Sequence, residues 1–200
     1  MNYISDILYW ISTGLLVPVI VLLICFFIRA LVLIGTFFGQ YLSIRRNEKV
    51  LSESLGSLTA ANVSTLADRL PHDNRSLLVV YLRRMLSEGD NIPMLSRLLS
   101  SYEIEADRDL SVSKTLCKMG PMLGLMGTLI PMGPALVGLS TGDIASMAYN
   151  MQVAFATTVV GLFSAAIGFV TQQVKQRWYL KDLSNLEFVV ELLKQNAGRL

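Results

Sequence analysis

The sequence predicts an all-α integral membrane protein with three transmembrane helices and long cytoplasmic helical extensions. Three observations predict it. Hydrophobic residues make up 52% of the 200 and charged residues only 16%, against about a quarter charged in a soluble domain. The apolar residues gather in three tracts, each able to supply the ~20 residues that cross a bilayer as a helix. Lysine and arginine are confined to particular segments between and after those tracts.

The first tract, residues 7–28, carries no charge and contains Gly14 and Pro18. A secretory signal is the competing reading. No Lys or Arg precedes the tract, and it exceeds the apolar region of about 7–15 residues of such signals, so it is read as a retained span. Residues 30–42 stay apolar, so the helix is expected to continue out of the membrane, with Arg29 snorkelling to the headgroups. Residues 1–42 thus form the first span and its extension. The second span covers 116–139, an outer loop 140–144, and the third span 145–174.

Basic residues set the expected orientation. None lies in residues 1–6 or 119–174, and all lie in 29–118 or 175–200. Positive segments stay cytoplasmic. The N-terminus is therefore expected outside, the 43–115 region inside, the 140–144 loop outside, and the 175–200 helix inside, in a prokaryotic cytoplasmic (inner) membrane.

The 43–115 region reads as helical. Leu51, Leu55, Leu58 and Ala61 recur at three- and four-residue steps. Pro71-His72-Asp73-Asn74 marks a turn, which makes His72 a surface residue. Leu77, Val80, Tyr81, Met85 and Leu86 form a second short pattern, ended by Gly89-Asp90-Asn91-Ile92-Pro93. A helix begun near Pro93 meets no Gly or Pro before Gly120 and is expected to run into the second span. The acids of Glu103-Ile104-Glu105-Ala106-Asp107-Arg108-Asp109 are spread around that helix without a histidine, which favours a solvated face over a metal site. Leu183, Leu186, Val189, Val190 and Leu193 give the C-terminal helix an apolar face. Cys25 and Cys117 have no ligand-type partner in sequence and read as small hydrophobes.

Two stripes of small residues carry the functional signal. In the second span, steps of three and four from Cys117 give Pro121, Gly124, Thr128, Pro131 and Ala135. In the third they give Ala154, Thr158, Gly161, Ala165 and Gly168. Such residues share one helix face. Small residues let helices approach closely in lipid, so a packing seam is one reading. The other is a polar path. Pro121 and Pro131 free backbone carbonyls, which the membrane interior tolerates only beside a cavity or polar partner. Thr128 and Thr158 add hydroxyls, with Thr157 beside them. No Asp, Glu, Lys, Arg or His lies in 119–142 or 144–174. Proton relays across membranes generally need such a group. A conducting role therefore calls for an acid from another protein. Asp6 and Asp143 at the outer surface read as solvated loop acids.

The order Pro121-Met122-Leu123-Gly124-Leu125-Met126-Gly127-Thr128, followed by Ala156-Thr157-Thr158-Val159-Val160-Gly161-Leu162-Phe163-Ser164-Ala165, resembles the MotA/TolQ/ExbB proton-channel family, closest to its TolQ/ExbB-like branch. The motifs are similar to Pro-x-x-Gly-Leu-x-Gly-Thr and Thr-x-x-Gly-Leu-x-x-Ala. The resemblance implies a homopentamer around a single-span partner with an intramembrane Asp (ExbD/TolR/MotB-like), in a motor complex that couples ion flow to work such as protein transport. It implies that Thr128, Thr158, Thr157 and Pro121 line the ion path. Gly120, Gly124, Gly127, Pro131, Ala154, Gly161, Ala165 and Gly168 would then serve helix packing or face the partner. Several members carry a Glu upstream of the third-span threonine. Val153 occupies that place here, with Gln152 and Asn150 as the nearby polar groups.

Three function classes follow: an ion-conducting motor subunit, a non-conducting scaffold that anchors a partner helix, and a membrane enzyme. The enzyme reading lacks a nucleophile–base pair, a phosphate loop or a titratable group at depth. No cofactor, metal or nucleic-acid partner is expected.

Overall fold

The computed structural model describes residues 2–56, 76–89 and 91–197, and within them every regular element is an α-helix. In chain order these are α1 (Asn2–Gly14), α2 (Leu16–Gly56), α3 (Leu77–Ser87), α4 (Ile92–Thr141) and α5 (Ile144–Ala197). Three apolar helical stretches are long enough to cross a membrane, within Ile7–Leu42, Ile92–Thr141 and Ile144–Asn196. The expectations for Leu58, Ala61 and the turn at His72 fall outside the described residues.

Each element follows from local chemistry. Proline lacks the N–H that would bond back to residue 14, and its ring crowds that carbonyl. The first tract accordingly breaks one turn before Pro18, at Leu15, whose N–H is shared between the Ile11 and Ser12 carbonyls at 3.1 Å each. Helix α4 begins beside Pro93 as expected and runs 50 residues into the second span. At 1.5 Å per residue that is about 75 Å, more than twice the ~30 Å hydrocarbon core, so much of it stands outside the bilayer. Pro121, Pro131 and Pro134 lie inside α4 without ending it.

The α4–α5 turn is built by two residues. Gly142 adopts φ 75°, a left-handed conformation open to glycine. This closes α4 through the Asp143 N–H to the Gly138 carbonyl at 2.8 Å. Asp143 then caps α5, its Oδ1 accepting from the Ser146 N–H at 3.0 Å. Asp143, expected as a solvated loop acid, is thus a helix cap.

The chain divides into two compact units. The first comprises residues up to Gly35 together with Val112–Gln172. In it α2 packs across the α4–α5 pair. Val19 and Leu23 meet Leu123, with Phe26 and Ile130 beside them. Ala30 and Leu33 meet Leu116, with Val112 and Ile167 alongside. Phe27 and Phe163 add a tilted ring pair at 6.1 Å. Large side chains such as Leu125, Leu129, Phe155 and Val159 remain exposed on the outside of this unit.

The second unit comprises Thr36–Ser111 and Gln173–Leu200. Its core is dense and aliphatic. Leu78, Val79, Leu82 and Met85 of α3 pack on Leu95, Leu98 and Tyr102 of α4 and on Leu186, Val189 and Val190 of α5. Burial of each such side chain contributes about 1.5–3 kcal/mol. Around this core, Tyr81 donates to Glu105 at 2.8 Å and packs edge-on against Tyr102. Burial, followed by the Glu105 hydrogen bond, raises the Tyr81 pKa. Phe37 stacks on Trp178 at 5.6 Å.

Candidate functional site

Glycines set how closely α4 and α5 approach. A Cβ on Gly120 would stand 2.7 Å from the Gly161 carbonyl, and one on Gly161 would stand 2.7 Å from the Gly120 carbonyl. A Cβ on Gly168 would come within 2.8 Å of the Cys117 nitrogen. A Cβ on Gly127 would fall 2.6 Å from the Thr157 side chain. Contacts this short leave no room for a Cβ at any of the four: backbone meets backbone at Gly120, Gly161 and Gly168, and Gly127 receives the Thr157 side chain. Pro131 is fully buried, and Ala154 and Ala165 are buried on the same seam. Gly124 differs: a Cβ there would meet Gly161 and Thr158 at an ordinary 3.6 Å.

The threonines divide between seam and flank. Thr157 is buried against Gly127, its hydroxyl donating to the Val153 and Ala154 carbonyls at 3.0 and 2.9 Å. Thr128 and Thr158 are half-buried. Each follows one member of the Gly127–Thr157 contact in sequence, so both stand at the same level of the seam.

Helical geometry then places them on one side. Successive residues turn by about 100° on an α-helix. Leu123 packs toward α2, and Thr128 lies about 140° around the helix from it. On α5, Phe163 and Ile167 pack toward α2, and Thr158 lies about 140° and about 180° from them. Both hydroxyls therefore occupy the flank of the seam opposite the first span. Pro121, exposed, lies seven residues before Thr128 and so on the same face, about 10 Å nearer the N-terminal end of α4.

The hydrogen-bond state of these hydroxyls limits their chemistry. Thr128 donates to the Leu125 carbonyl at 2.8 Å, and Thr158 to the Ala154 carbonyl at 3.2 Å. Each proton is committed to its own helix. The lone pairs remain, so both groups can still accept a hydrogen bond. Toward the α4–α5 turn, Asn150 donates to the Ser146 carbonyl at 2.9 Å, Val153 is half-buried and Gln152 is exposed.

Sequence reasoning missed a polar cluster in the second unit. Lys175 is 3% exposed and reaches Asp109 Oδ2 at 2.7 Å. Tyr179 donates to the same oxygen at 2.5 Å, and Tyr102 donates to Asp182 at 3.4 Å. Burial first, then the adjacent carboxylates, push both tyrosine pKa values far upward. Three- and four-residue steps from Ala154 through Gly161 and Gly168 lead on to Thr171, Lys175 and Tyr179, a continuation that was legible in the sequence. Of the charge run, Asp109 and Glu105 are thus engaged, while Glu103 and Arg108 are exposed.

Comparison with known proteins agrees with the family reached from the motifs and does not resolve its TolQ/ExbB-like branch. No curated protein matches the chain. A family model does, over residues 83–187, which takes in α4, most of α5 and both threonine motifs. More than half of the chain is matched, and its three apolar helices make it a membrane protein. The chain belongs to the MotA/TolQ/ExbB proton channel family.

Proposed function

We propose that this chain is the proton-conducting subunit of an inner-membrane motor or energy-transducing complex. In this reading several copies, five by the family resemblance, ring a single-span partner that carries an intramembrane Asp. Ion flow moves the partner within the ring. The N-terminus lies outside and the C-terminus in the cytoplasm, a reading the distribution of basic residues supports.

The observation that carries the proposal is the shared flank of Thr128 and Thr158. Two half-buried hydroxyls stand level, turned away from the first span, with lone pairs available and no titratable residue of their own helices nearby. Such a flank can accept a hydrogen bond from a protonated carboxyl but cannot itself carry a proton near neutral pH. It complements an acidic helix. A non-conducting scaffold that anchors a partner helix is the alternative, because the glycine seam alone accounts for tight packing.

Ion flux in liposomes holding both proteins separates the two. Thr158→Val keeps the shape and removes the acceptor. The channel reading expects the complex to remain intact and the proton flux to fall at least tenfold, with Thr128→Val acting in the same direction. Unchanged flux in an intact complex sinks the channel reading in favour of the scaffold.

A further inference from the structure

We infer that Ser113 holds a buried water molecule in the α4–α5 seam. Helical serines and threonines usually satisfy their hydroxyls on a carbonyl three or four residues back. Ser96, Ser101, Ser111, Thr128, Ser140, Thr157, Thr158 and Ser164 all do so here. Ser113 is 0% exposed, and its hydroxyl alone among the described residues is a buried side-chain polar atom without a partner. An unsatisfied buried hydroxyl is costly, and native structures seldom keep one without a bound partner. Ser113 lies at the place where Gly168 brings α5 onto α4. A Cβ on Gly168 would stand 2.9 Å from the Ser113 carbonyl. Thr171, 3% exposed, lies one turn further along α5 on the same buried face.

The chemistry on offer is neutral oxygen. A buried cation loses far more hydration energy than a few neutral oxygens return. Water needs two to four polar partners, and hydroxyls with backbone carbonyls are the usual ones. The occupant is therefore water, with the Ser113 hydroxyl as its side-chain partner. It is a local site and not a wire: Thr157, Ser164 and Thr171 recur every seven residues, about 10 Å apart, too far for direct transfer. The site does not depend on whether the chain conducts protons.

Water-edited solid-state NMR of the whole chain in lipid bilayers tests this. Ser164 is the internal control, equally buried at 0% but bonded to the Val160 carbonyl. Magnetisation from water is expected to reach Ser113 several-fold faster than Ser164. Equal, slow build-up at both serines overturns the proposal, and this comparison needs no variant. Ser113→Ala gives a second readout. If water is bound, the change strands it and the thermal midpoint falls. A midpoint that rises shows a dry, unsatisfied hydroxyl and also overturns the proposal.

Discussion

The two units of this chain join the same pair of helices by opposite means. In the first, α4 and α5 touch through what is missing: Gly120, Gly161 and Gly168 leave backbone against backbone, and Gly127 makes room for the Thr157 side chain. In the second, the same helices and α3 are held apart by Leu82, Met85, Leu95, Tyr102 and Leu186. The difference teaches which solvent each segment was built for. Lipid tails are as apolar as leucine, so burying leucine between helices in a bilayer gains little, and close van der Waals approach does the work. Water rewards burial of large apolar side chains, and the second unit uses it.

Bulk added to the lipid-level seam should break this contrast most completely. Gly161→Leu or Gly120→Leu forces the helices apart, and the expected outcome is loss of the proposed oligomer on gentle-detergent native gels. Intact assemblies of either variant would show that backbone contact is not what joins the spans. The matching change in the second unit is removal of bulk. Leu186→Ala should cost about 2–5 kcal/mol through a cavity, read as earlier unfolding of that unit by proteolysis or hydrogen exchange.

A smaller effect is expected from the ion pair. Asp109→Ala leaves the Lys175 ammonium buried without its carboxylate. Breaking a fully buried pair costs about 3–5 kcal/mol, and because Asp109 is 40% exposed the expected loss is nearer ~2 kcal/mol. Asp109→Ala combined with Lys175→Met should recover most of it, since an apolar side chain then fills the space. Failure of the double variant to recover would assign the pair a role beyond charge balance.

The buried tyrosines give a pH dependence with a definite sign. Tyr179 and Tyr102 keep their protons in the folded state well above the ordinary value of 10.0, first because of burial. The unfolded chain loses these protons as pH passes about 10. Their contribution is therefore complete below that pH and declines as pH rises above it. Tyr179→Phe should flatten the alkaline fall in thermal midpoint relative to the unaltered chain. The smallest effect belongs to Gly124→Ala, where a Cβ meets its neighbours at 3.6 Å. Its assembly should match the unaltered protein, in contrast to Gly120→Ala, and equal damage from both would mean the seam does not discriminate between these glycines.

Much of the fold is legible in the order of residues alone. The three apolar tracts, the start of α4 beside Pro93 and the end of α3 before Gly89 follow from hydrophobic runs and backbone chemistry that act locally. The stripes point to a close seam. What they do not separate is seam from flank. Pro121, Gly124 and Thr128 share a face in sequence, yet Gly124 is buried and Pro121 exposed. Periodicity reports a helix face to within a broad arc, and the neighbour decides which part of that arc is covered.

The amino-acid sequence by itself determined that this is a membrane-spanning helical protein and that its second and third apolar tracts hold hydroxyls but no acid. These follow from composition and short-range periodicity, which need no partner. Only the tertiary structure decided that Thr157 closes the seam while Thr128 and Thr158 share its open flank, that Lys175 is buried on Asp109, and that Ser113 is buried without a protein partner. Each of these depends on the register of one helix against another, and backbone contacts between residues far apart in the chain set that register.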